Sequence, residues 1–214
     1  NWMYLGGRVH KATASQVILE SEHEITLTLL NGMPVTLGMD RKMFKKLDQD
    51  YLILEVSFVN KSPVPLTYTY ELGDEPWVGD FYRGSKGNVG WTDGMTYEYE
   101  GFIRTDSHRF AGYWDIGNSN INEQGEFTGV ADFVEWLSEP PSYAYFANNF
   151  GYRRVDRKKP LSSRDNRVIG LVWLDQPLKP GERRTHVLAL GMAMPHPERG
   201  VYFPIKPHVV FSGE

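Results

Sequence analysis

The chain has 214 residues, 41% of them hydrophobic and none of them cysteine; that suffices for one sizeable core and excludes disulfides, thiolate metal sites and cysteine nucleophiles. No stretch approaches the roughly 20 consecutive apolar residues that cross a bilayer, so no membrane insertion is expected. The net charge of −4 is unevenly spread: residues 1–70 carry seven basic and seven acidic side chains, residues 71–139 four and fourteen, and residues 140–214 twelve and six. The acidic middle repels phosphate backbones, which argues against nucleic acid as a partner. The first residues, NWMYLGGRVHKA, lack a basic region followed by an apolar one. The chain starts at Asn1, as either a processed mature chain or a piece cut from a longer one would, and the expected location is periplasmic or extracellular.

A period of two dominates from the start. TASQVILE (13–20) and EITLTLL (24–30) alternate or run apolar over strand length, with β-branched residues throughout. Asn31-Gly32, before Met33 to Leu37, is a hairpin cue, and Pro34 directs the second strand to an edge. Asp40 stands where a helix N-cap would, and Met43, Phe44 and Leu47 share one side of a short helix over 41–47. DYLILEVSFVN (50–60) puts Leu52, Leu54, Val56 and Phe58 on one strand face, and LTYTYEL (66–72) follows the turn Lys61-Ser62-Pro63-Val64-Pro65. MTYEYEGFIR (95–104) reads as one half-exposed strand, with Tyr97, Tyr99 and Ile103 opposite Glu98, Glu100 and Arg104. Further strands are expected at 109–116, 127–136, 142–148, 168–175, 185–192 and 208–211; the second of these fits a helical period equally well through Val130, Phe133, Val134 and Leu137. No repeat, linker or regular helix–strand alternation interrupts the pattern. The expectation is a single all-β domain over 1–214, a large antiparallel two-sheet sandwich with one or two short helices.

Residues 71–91, ELGDEPWVGDFYRGSKGNVGW, break the run of ordinary strands with acids, aromatics and glycines together. Four of the six tryptophans (Trp77, Trp91, Trp114, Trp136) and fourteen carboxylates fall between 71 and 139. Sugars are held by aromatic faces against their C–H groups and by carboxylate acceptors for their hydroxyls. The candidate platforms are Trp77, Tyr82, Trp91 and Trp114, and the candidate acceptors are Asp74, Glu75, Asp80 and Asp115. His108, beside Asp106, is the only histidine near this acidic zone and joins the ligand-binding candidates. The competing reading places the tryptophans in the sandwich core and the carboxylates on solvated turns.

No reaction follows from these residues. Glycoside hydrolysis needs two carboxyl groups roughly 5 to 10 Å apart, and a pair could join Asp74 or Glu75 to Asp106 or Asp115. The acids between 74 and 93 do not reproduce the twelve-residue calcium loop, the six histidines show no i,i+2 or i,i+4 pair, and no metal or cofactor is expected. Gly84 to Asn88, GSKGN, lacks the ending of a phosphate loop, and no serine sits in a G-x-S-x-G elbow. Arg153, Arg154, Arg157, Lys158 and Lys159 form a basic run that reads as a solvated loop or as an anion site.

DYLILEVSFVNKSPVPLTYTYELG (50–73) resembles a strand-turn-strand element of the galactose-mutarotase-like proteins, and PLKPGERRTHVLALGMA (177–193) resembles their late hairpin with a Pro-Gly-Glu turn. The resemblance implies a supersandwich fold with a sugar site beyond the second strand. At that place an aldose epimerase would offer a histidine, whereas this chain has Glu71 to Trp77, so the epimerase reaction is not implied. The reading is a carbohydrate-associated β-sandwich that binds a sugar or polysaccharide, with catalysis and oligomeric state left open. The alternative is a non-catalytic structural or protein-interaction module of an exported protein.

Overall fold

The computed structural model describes residues 8–74, 88–115, 131–161, 167–195 and 204–211. The chain opens with β1 (Arg8–Ala12), β2 (Gln16–Thr28), β3 (Pro34–Lys46) and β4 (Tyr51–Asn60), an antiparallel meander, and β5 (Leu66–Asp74) then crosses to a second sheet. There follow β6 (Asn88–Thr92), β7 (Met95–Tyr97), β8 (Gly101–Ile103), β9 (Phe110–Asp115), β10 (Ala131–Trp136), β11 (Tyr143–Ala147), β12 (Val168–Leu178), β13 (Arg183–Pro195) and β14 (Pro204–Ile205). The larger sheet has the order β1-β2-β3-β4-β13-β10-β9-β6-β7, with β14 on β13, and the smaller is β5-β12-β11-β8. The expected two-sheet antiparallel sandwich is what forms. Among the described residues no helix is long and apolar enough to cross a membrane.

Strand alternation builds the layers. On β4, Leu54, Val56 and Phe58 face Tyr68 and Leu178 of the smaller sheet, while Ala111, Tyr113, Val134, Trp136 and Leu188 meet Phe146, Leu171 and Trp173 further along. The outer face of the larger sheet is apolar as well. Ile18, Phe44, Tyr51, Ile53, Phe110, Phe133 and Ala189 form a second core there, covered by Val209 and Phe211. The Tyr51 hydroxyl accepts a 3.1 Å bond from the Val210 amide, which ties the C-terminal segment down. Lys206 also reaches this layer, pairing with Glu135 at 2.6 Å and lying 5.5 Å from the Phe133 ring centre.

Several expectations are corrected. Residues 41–47 form no helix; 41–46 belong to β3 and Leu47 to the turn after it, and β3 pairs along its length with β2 and along much of it with β4, so ladder hydrogen bonds on both flanks override a local 3.6 period. Asp40 is no cap: its carboxylate pairs with Arg183 at 2.7 Å. Pro34 sits at the first position of an interior strand, not on an edge. Residues 95–104 are two short strands in different sheets, and the turn between them turns Glu100 inward to 4% exposure. Of the segment 127–136, residues 131–136 form the strand β10 and 127–130 lie outside the described residues, and 208–211 is not a strand. The Asn31-Gly32 hairpin forms, with Gly32 at φ 81° and its amide donating to the Leu29 carbonyl at 2.9 Å.

The segment after Pro177 is not a hairpin, because β12 and β13 lie in different sheets. It is a crossover between the sheets, as residues 61–65 are. Because β4 pairs with β13 and β5 with β12, the two crossovers lie together, and Asn60, 1% exposed, joins them. Its amide nitrogen donates to the carbonyls of Val64 at 2.7 Å and Leu178 at 3.1 Å, and its side-chain oxygen accepts from Ser62 N at 2.9 Å. Its backbone N–H donates to the Glu182 carbonyl at 3.0 Å, and its own carbonyl accepts from Gly181 N at 2.9 Å. Asn60→Ala is expected to lower stability by about 3 kcal/mol or more, since three side-chain bonds are lost and buried partners are left unpaired. Asn60→Asp should do no better, because it sets carboxylate oxygen against two carbonyls. Urea unfolding midpoints of the variants check both outcomes.

Candidate functional site

The crossovers close one end of the sandwich. At the other end strands of both sheets present their termini side by side: Asp74 pairs with Ile169, Asn88 with Asp115, and Ala131 with Trp114 and Ala193. The Tyr113 hydroxyl bridges the sheets here, donating to the Val168 carbonyl at 3.3 Å. Arg167 places its guanidinium 5.5 Å from the Tyr113 ring centre. Full burial pushes the Tyr113 phenol pKa well above its ordinary value, so it serves as a neutral donor. Asp132 stands beside it, its carboxylate accepting from the Tyr113 amide and its carbonyl from Trp91 Nε1 at 3.1 Å. A cavity of about 40 Å³ lies between the sheets, lined by Leu72, Asp132, Val134, Ile169, Leu171 and Leu190 among others. That volume suits a water molecule or two rather than a sugar ring.

Strand alternation places Asp132 on the inner face of β10, in phase with Val134. Positions 74 and 115, the last of β5 and β9, lie at this same end of the sandwich. The side chains of Asp74 and Asp115 lie outside the described residues, as do Glu75, Trp77, Asp80 and Tyr82. Trp91 presents no face to a ligand: it is 1% exposed in the outer core, and its indole N–H is spent on Asp132. Trp114 stands at the open end, half-buried against the outer core and thus on the face opposite Asp132. His108 belongs elsewhere. It precedes β9 and is seven residues from Asp115, about 20 Å along an extended strand. Its neighbour Asp106 pairs with Arg104 at 3.0 Å in an exposed turn, and that hydrogen bond draws the carboxyl pKa below its usual value. Asp132 and Arg167 are the residues at this end that sequence reading passed over. The signal for Asp132 was an acid within an apolar strand; Arg167 carried none.

A shallow groove of about 230 Å³ lies on the outer face of β2, β3, β4 and β13, lined by Glu20, Glu22, Asp40, Lys42, Glu55 and Arg183 among others. Lys42 pairs with Glu20 at 3.3 Å, Arg183 with Asp40 at 2.7 Å, and Lys61 with Glu24 alongside. Partial burial raises the Glu55 pKa, offset in part by Lys42. This is a cross-strand charge ladder, whose exposed pairs stabilise little. Among the described residues no cluster of three or more His, Asp or Glu side chains could hold a metal ion.

No protein-family profile matches the sequence, and no curated protein matches it. Among solved structures the chain is similar to a galactose mutarotase-like protein from Clostridium acetobutylicum (TM-score 0.46, 14% identity, 88% of this chain and 66% of that one). It is also similar to a protein from Klebsiella pneumoniae named a putative aldose 1-epimerase (TM-score 0.48, 9% identity, 84% and 52%) and to a galactose mutarotase related enzyme from Lactobacillus acidophilus (TM-score 0.42, 12% identity, 87% and 70%). The chain spans between about half and about two thirds of the length of these proteins.

One histidine lies in the inter-sheet core. His186 on β13 is fully buried among Phe58, Tyr68, Tyr70 and Trp173, and its Nε2 shares a 2.8 Å hydrogen bond with the Tyr68 hydroxyl. Burial first, and then the charge of Arg184, push its pKa down to about 4. The fold therefore holds the neutral ring, while the unfolded chain takes up a proton near pH 6.5. The contribution is fully present above pH 6.5 and is lost as pH falls toward 4, by up to about 3 kcal/mol. His186→Phe is expected to flatten that acid limb. Unfolding free energies measured between pH 7.5 and pH 4 for both proteins check it, and parallel curves would contradict the assignment.

Proposed function

We propose that the protein binds a carbohydrate at the open end of the sandwich. The observation that supports this reading is the register, which puts backbone positions 74, 115 and 132 at the same end of the sandwich. Carboxylates there would accept hydroxyl hydrogen bonds, and β5, β6, β9 and β10 each have a terminus at this end of the sandwich. The Tyr113 to Val168 bond and the Arg167 guanidinium hold the two sheets apart at a fixed distance beneath it. Trp77 and Tyr82 belong to this reading as the aromatic platform, and Trp114 as a residue of the rim.

A panel of neutral mono- and oligosaccharides, titrated by calorimetry, tests it. Asp74→Asn with Asp115→Asn is expected to weaken binding of whichever sugar the wild type takes by about tenfold or more, because bonds to charged acceptors are worth roughly 1.5 to 3 kcal/mol each. Far-UV circular dichroism should be unchanged. Unaltered affinity in the double variant would move the site away from this end.

A further inference from the structure

The outer face of the smaller sheet carries the chain's densest positive charge, on a fixed frame. The loop after β11 lies over Tyr145, Ala147, Val168 and Val172 through Phe150, Tyr152 and Val155. Two carboxylates hold it. Glu100 accepts from Asn148 N at 3.0 Å, Asn148 Nδ2 at 2.8 Å and Asp156 N at 2.8 Å. Glu71 accepts from the Tyr145 hydroxyl at 2.7 Å and from Tyr152 N at 2.9 Å, and the Tyr145 hydroxyl in turn accepts from Gly151 N at 2.9 Å. Tyr145 reaches them by lying flat over its cross-strand partner Gly170, where any Cβ would collide with the ring.

On this frame sits an exposed aromatic surface. Tyr143, 41% exposed, stacks on Tyr152 with centroids 5.7 Å apart and planes at 16°, and its other neighbour Phe102 is 5.5 Å away. Arg153 lies with its guanidinium 5.4 Å from the Tyr152 ring centre, Nε donating to the Tyr152 hydroxyl at 2.9 Å, and Arg157 lies 5.7 Å from the Phe102 ring centre. Arg154 and Lys158 are exposed beside them. Among the described residues none of these four cations forms an ion pair with a carboxylate. A guanidinium laid on a ring keeps most of its N–H fork free and faces outward, which suits a planar carboxylate. A tyrosine face next to it suits the C–H side of a pyranose.

We propose that this surface binds an acidic polysaccharide, with a uronate ring against Tyr143 and its carboxylate on Arg153 and Arg157. It is a different face from the open end of the sandwich and stands independently of the reading given above. Charge density favours a glycan over a nucleic acid: the cations are confined to residues 153–158, whereas single-stranded nucleic acid needs a basic groove that tracks several nucleotides.

The test uses calorimetry and affinity electrophoresis with polygalacturonate, the same polymer fully methyl-esterified, and oligothymidylate, each at low and at raised ionic strength. Polygalacturonate is expected to bind, the ester is not, and rising salt should weaken the complex. Arg153→Gln with Arg157→Gln should reduce affinity about tenfold or more, one such factor being 1.4 kcal/mol. Tyr143→Ala should reduce it several-fold with the thermal midpoint preserved. Failure of the wild type to bind polygalacturonate, equal binding of acid and ester, tighter binding of oligothymidylate, or wild-type affinity in the arginine double variant would each overturn the proposal.

Discussion

Asn60 completes five hydrogen bonds where two of the chain's changes of sheet lie side by side, and the layer geometry depends on it. A buried crossover exposes backbone groups that no ladder can pair, and each such group left unsatisfied is expensive. One amide side chain donates to both crossovers and accepts from a third amide, so the turns at 61–65 and 179–182 become a single closed hinge. With that end fixed, β4 and β13 leave it side by side in one sheet, and β5 and β12 leave it side by side in the other. The separation and phase of the sheets at the far end follow from there.

The larger sheet is buried on both faces over its middle, which is unusual for antiparallel strands. Its inner face meets the smaller sheet, and its outer face is roofed by the C-terminal segment through Val209 and Phe211. This second core absorbs Trp91, Phe110 and Phe133, aromatics that would otherwise stand exposed near the acidic zone. Composition alone cannot separate a stacking platform from such a roofed layer, because both need large rings close to polar loops.

Much of the fold was legible in the sequence, and the illegible parts have physical causes. Alternation on β4 named Leu54, Val56 and Phe58 as one face, and they are. The same reading missed that Tyr51 and Ile53 on the opposite face are buried too, since their cover comes from residues far along the chain. The helix expected at 41–47 rested on a local period that two flanking strands overruled. Tyr97 and Ile103 pack in the inter-sheet core, but Tyr99, expected on the same face, is exposed, and Glu100 turns inward, because only the fold brings Asn148 and Asp156 to its carboxylate. Of the candidate site, Trp91 moved to the core and His108 to a distant turn, and Asp74 and Asp115 came to one end through pairings with no local signature.

The pairing of β4 with β13 carries a consequence for synthesis. Ser57 and Thr185 share a 2.7 Å hydrogen bond across 128 residues of sequence. The meander from β1 to β4 can zip as soon as it emerges, since each partner is its neighbour, but the free side of β4 then waits until nearly the whole chain has been made. Non-local pairings of this kind slow folding, and an open strand edge recruits other chains while it waits. The interval between the making of β4 and the making of β13 is therefore the stage of synthesis at which this edge stands open to misassembly.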